Sequence, residues 1–168
     1  MPNIFRYCRC ALAGLLAGLF ASPVAAGPDA DAQELADRAN RAMAAEEWER
    51  ADELLEEALE HAPEAAELWI GRGFTRTQLD RTDEAHESFE TALELYLERV
   101  EENPDNPGLV MNVGYTLVLL NRRDEALAYL EAAAERNPDE PIFRRFEPIL
   151  DSLEENFREY IVPEEEDT

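Results

Sequence analysis

Lysine is absent from this 168-residue chain: all 15 basic residues are arginine, set against 39 acidic ones, for a formal net charge of −24. A surface this acidic repels nucleic acid and anionic lipid, so neither is expected as a partner. It suits a solvated or salt-adapted protein, or one that attracts basic partners or divalent cations. Cysteine occurs only at Cys8 and Cys10, and histidine only at His61 and His86. No H-E-x-x-H spacing, calcium-loop pattern or glycine-rich phosphate loop is present, and no Ser-His-Asp set has supporting context. Neighbouring acids such as Glu46-Glu47, Glu56-Glu57, Glu101-Glu102 and Glu154-Glu155 read as helix-face or helix-end charges. A glycosidase would need one such pair set apart across a cleft. No enzyme, cofactor or metal centre is therefore expected. No stretch alternates with period two between turn residues, so no sheet is expected either.

The one long apolar run lies near the start. Arg6 and Arg9 precede Ala11–Phe20, Ser22 and Pro23 break the run, and Val24-Ala25-Ala26 ends it with small residues. This is the layout of a secretory signal peptide over residues 1–26. The run falls short of the about 20 apolar residues of a membrane span. Export to a bacterial periplasm, as in a Gram-negative cell, is the expectation, with an uncleaved N-terminal anchor as the alternative. Cleavage after Ala26 would remove both cysteines and two arginines, leaving 168 − 26 = 142 residues with no thiol and no membrane span. A thiol-free chain suits an oxidising compartment.

Beyond residue 28 the chain repeats itself. Ala51, Leu55, Ala58 and Pro63 recur at the same spacing as Ala126, Leu130, Ala133 and Pro138. A middle copy has Ala85, Phe89 and Ala92 without the proline. Twelve residues before each leading alanine stands a small residue: Ala39, Gly73 and Gly114. Small side chains at fixed intervals let paired helices cross closely. The leading alanines are 34 residues apart in the first step (51 to 85) and 41 in the second (85 to 126). The excess of seven is close to two helical turns, which lengthen a helix while keeping its apolar stripe in phase. Phe89, Ala92, Leu93, Tyr96, Leu97 and Val100 continue that stripe, predicting one long helix over 82–102 that stops at Asn103-Pro104.

These residues resemble the tetratricopeptide repeat, whose pattern runs W-x2-L-G-x2-Y, A-x3-F, then P. The resemblance covers about residues 32–138. It departs from the pattern at Arg76 and Leu117, where tyrosine is expected, and at Ala39, where glycine is. The expected fold is all-α: a helical-hairpin solenoid of three repeats (29–63, 64–104 and 105–138). Helices are predicted near 29–45, 48–61, 64–79, 82–102, 107–120 and 123–136. Asp80 and Asn121 fall in the tight turns inside pairs two and three, where left-handed backbone is tolerated. Residues 139–161 keep apolar residues at spacings of three or four and are expected to cap the stack, kinked near Pro148. Residues 162–168 form an acidic tail, expected to be disordered.

The resemblance also implies where a partner would lie. In this family the first helices of successive pairs line a concave face. Carried onto this chain, that face takes Ala36, Asn40 and Met43 from the first pair and Ile70, Phe74, Thr77 and Gln78 from the second. Met111, Asn112 and Tyr115 come from the third. None of them is charged, in a chain where charged residues make up 32%. The expected function is a non-catalytic adaptor that binds a protein or peptide on this face. The alternative is a self-assembling envelope subunit, and a homodimer would bury the open ends of so short an array.

Overall fold

A computed structural model describes residues 30–139 and, beyond them, residues 148, 151, 155, 158, 160 and 161. The readings for residues 1–26 and 162–168 lie outside the described residues, as does most of the expected cap. Among the described residues six helices follow one another: α1 (Ala30–Ala44), α2 (Trp48–His61), α3 (Ala66–Gln78), α4 (Thr82–Glu102), α5 (Pro107–Leu119) and α6 (Arg123–Arg136). No strand occurs among those residues. Packing runs between consecutive helices along the chain, as a solenoid requires.

Side-chain size sets the approach of each pair. Ala51, Ala58, Ala85, Ala92, Ala126 and Ala133 are all fully buried. A Cβ added to Gly73 would stand 2.6 Å from Cδ1 and 2.7 Å from Cζ of Phe89, and closer still to Cε1. One added to Gly114 would stand 2.8 Å from Cδ1 of Leu130. Each glycine thus faces the large residue of its partner helix, and the missing side chain is the space that residue fills.

The three intra-pair turns share one construction. Glu46, Asp80 and Asn121 take positive φ, near 57–59°. The following amides of Glu47, Arg81 and Arg122 reach back five residues to the carbonyls of Ala42, Arg76 and Leu117, at 2.9, 2.9 and 2.8 Å. The amides of Glu46, Asp80 and Asn121 themselves bond Met43, Thr77 and Val118. This is the Schellman closure, which satisfies the last carbonyls of the helix. Asp80 and Asn121 suit the conformation; Glu46 does not, and holds it because the helices on either side fix the turn. Asn106 caps α5, its side chain accepting from the amides of Gly108 and Leu109, with Pro107 as the first helical residue.

α4 has 21 residues where α2 and α6 have 14 each. Its extra two turns bury Tyr96 and Val100. They also carry Arg99, which donates to Glu67 Oε1 at 3.0 Å and to the carbonyl of Glu64 at 2.7 Å. The extension is therefore clamped to the start of α3. Arginines also stitch pair to pair. Arg81, just before α4, donates to Asp52 on α2 at 2.9 Å. Arg122, at the matching place before α6, donates to Glu90 on α4 at 3.2 Å. Arg72 donates to the same Asp52 at 3.2 Å, and Arg76 stands 3.4 Å from it. Arg122 also hydrogen-bonds Glu125, holding that carboxyl below the usual carboxylate range.

Two apolar clusters result. One holds the first pair together with Leu68; the other holds the second and third pairs. Met43 and Trp69 pack against both and so bridge them. The Trp69 indole N–H donates to the Pro63 carbonyl at 2.8 Å, fixing the link between pairs one and two.

Candidate partner-binding face

The uncharged residues of α1, α3 and α5 do not all meet solvent. Asn40 is exposed, while Ala36, Met43, Thr77, Gln78 and Tyr115 are half-buried. The Thr77 hydroxyl turns back onto its own helix, donating to the Gly73 carbonyl at 3.0 Å. Burial pushes the Tyr115 phenol above its ordinary pKa. Ile70, Phe74, Met111 and Asn112 are 1%, 2%, 2% and 4% exposed and belong to the interior. For these four, the expectation of an open groove lining is corrected: they are packing residues in this structure.

The physical reason lies in α5 and in the end of the chain. Nine of the 13 residues of α5 are buried, and their side chains lie all round the helix rather than in one stripe. A helix apolar all round is one that is covered on every side. Part of the cover is Tyr160, whose ring stands edge-on to Phe74 with centroids 4.8 Å apart and planes at 87°. Phe74 meets Phe89 in the same edge-on manner at 5.6 Å. Ile161 packs against the same cluster. Spacing alone placed Phe74 on a shared face but carried no information about what lies over it. The available warning was Leu109–Leu120, twelve residues without a charge in a chain this acidic.

The histidines build no site. His61 is exposed at the end of α2. His86 is half-buried, its Nε2 4.0 Å from Glu90. Among the described residues no group of His, Cys, Asp and Glu could hold a metal ion, and no helix is long and apolar enough to cross a membrane. The buried polar groups that stand out, Asp52 with its arginines and the Tyr96 hydroxyl, tie helices together or lie in the core rather than opening onto a cleft.

Comparison with known proteins agrees with this architecture. Sequence models of the tetratricopeptide repeat match residues 36–96 and 86–146. Among solved structures, the chain is similar to the Sgt2 TPR domain from Aspergillus fumigatus. The identity is 20%, the TM-score 0.47, and the match covers 88% of this chain and 94% of that one. No curated protein matches the chain in sequence. With its nested helix pairs, its small residues facing large ones and its matched repeats, the chain belongs to the tetratricopeptide repeat family.

Proposed function

We propose that this protein is a non-catalytic interaction module that takes a segment of a protein or peptide on the uncharged strip of α1, α3 and α5. One observation carries the reading. In a chain with 39 acidic residues, Asn40, Met43, Thr77, Gln78 and Tyr115 form an uncharged, partly accessible set on the first helices of three consecutive pairs. Met43 and Tyr115 would supply apolar contact, and the amides of Asn40 and Gln78 would hydrogen-bond an extended backbone. The signal-like residues 1–26 support export and work in a periplasmic setting, where the thiol-free remainder is also at home.

The test is partner capture with a strip variant that spares the core. Met43→Arg with Gln78→Arg places two bulky cations on half-buried positions. The pair should lower capture at least tenfold with the helical circular dichroism unchanged, and undiminished capture would refute the strip. Phe74→Ala is unsuitable for this purpose because its ring is interior. Self-assembly into an envelope complex is the second reading, and the open ends of a three-pair stack favour it. A molar mass by light scattering that stays monomeric at all concentrations would rule it out.

A further inference from the structure

The strip is not empty at its centre. Tyr160 lies 160 − 74 = 86 residues beyond Phe74 yet stands edge-on to it, and Tyr160 is itself only 8% exposed. Phe74 presents one contact to Phe89 of its own pair and another to this distant ring. The first belongs to the repeat; the second comes from a segment that no repeat needs. A further tie of that segment is an ion pair between Asp151 and Arg123, with 61% of the Asp151 side chain exposed. Exposed ion pairs contribute little. Of these two ties, the seating of an aromatic and an aliphatic side chain is therefore the one that holds the segment over α3.

We propose that Tyr160 and Ile161 are the resident ligand of this face. The chain closes its own partner site, and a partner binds by presenting an aromatic residue followed by an aliphatic one to the edge of Phe74 in their place. The inference rests on the uncharged strip being the partner face. Its physical consequence is a competition. The apparent affinity for an outside segment equals the intrinsic affinity scaled by the fraction of molecules in which the seat is open. Removing the Tyr160 ring should raise that fraction, and so the affinity, by about tenfold or more.

The experiment uses the full chain and, as probe, a fluorescein-labelled synthetic peptide of residues 156–168 followed by anisotropy. Tyr160→Ala with Ile161→Ala should bind the peptide at least tenfold more tightly than the unaltered protein. Tyr160→Phe keeps the ring and should bind as weakly as the unaltered protein, which separates seat opening from general loosening. A peptide with alanine for its tyrosine should lose the gain. Equal affinity for the unaltered and doubly altered proteins, or binding to neither, overturns the proposal. So does a dimer that the double substitution dissolves, since the segment would then close a second copy. If the peptide results hold while Met43→Arg with Gln78→Arg leaves partner capture intact, the closed seat stands and its use by a partner is overturned.

Discussion

Replacing Gly73 by alanine sets two physical effects against each other. Gly73 lies inside α3, where intrinsic helix propensity favours alanine by about 1 kcal/mol. If the pair were loosely packed, Gly73→Ala would stabilise the protein by that amount. The structure opposes it. Three atoms of the Phe89 ring lie within 2.7 Å of the new Cβ, and real Cβ contacts do not come so close. Phe89 is fully buried and has Phe74 against it, so the ring has no free volume to enter. Overpacking of a core costs about 1–3 kcal/mol, more where nothing can move. We expect a net loss of about 1–3 kcal/mol, a fall in midpoint of roughly 4 °C per kcal/mol. Adding Phe89→Leu should relieve it, because alanine and leucine at these two positions would recreate the combination that Ala39 and Leu55 form in the first pair. The double-mutant cycle should show a favourable coupling of about 1–3 kcal/mol between the two changes. Urea denaturation followed by far-ultraviolet circular dichroism gives all four free energies. A single variant more stable than the parent, or additive changes, would refute the steric account of the repeat.

Other perturbations follow from the same packing. Glu46→Asn should raise stability by about 0.5–1 kcal/mol, because asparagine tolerates the left-handed conformation that glutamate holds at φ 59°; a thermal melt checks it. Asp52→Ala should cost about 2–3 kcal/mol by stranding Arg72 and Arg76, whose side chains are 11% exposed. Glu53→Ala, which breaks only an exposed pair with Arg50, should cost less than about 0.5 kcal/mol in the same denaturation assay. Burial holds the Tyr96 phenol well above its ordinary value of 10.0. The unfolded chain therefore releases that proton first, so stability is intact below pH 10 and falls as the pH rises beyond it. Tyr96→Phe removes both this loss and a buried hydroxyl without a hydrogen-bond partner, so it should flatten the alkaline melting curve at no cost near neutral pH.

Much of the fold is legible in the sequence because repeats show themselves twice. The boundaries of α2, α4 and α6 fall at the predicted residues, fixed by proline and asparagine at their ends. The seven-residue excess translates directly into the length of α4, since two turns keep the stripe in phase. The turn at Glu46 is hidden because glutamate carries no turn signal; only its 34-residue distance from Asp80 marks it. The Arg81–Asp52 and Arg122–Glu90 stitches join residues 29 and 32 apart, and arginines before a helix announce nothing about what they reach. The face is only half legible. Helical spacing gathers Ile70, Phe74 and Met111 correctly, but their burial depends on Tyr160 and Ile161, whose arrival no local pattern encodes.

If partners meet the first helices of the pairs and not the second, site-specific photocrosslinking in the producing cell reads it most directly. Benzoylphenylalanine would be placed in turn at Asn40 and Gln78, and at the exposed Glu57 of α2 and Glu131 of α6. Adducts of one common mass from positions 40 and 78, and none from 57 and 131, are the predicted result. Adducts from 57 or 131 alone would contradict it.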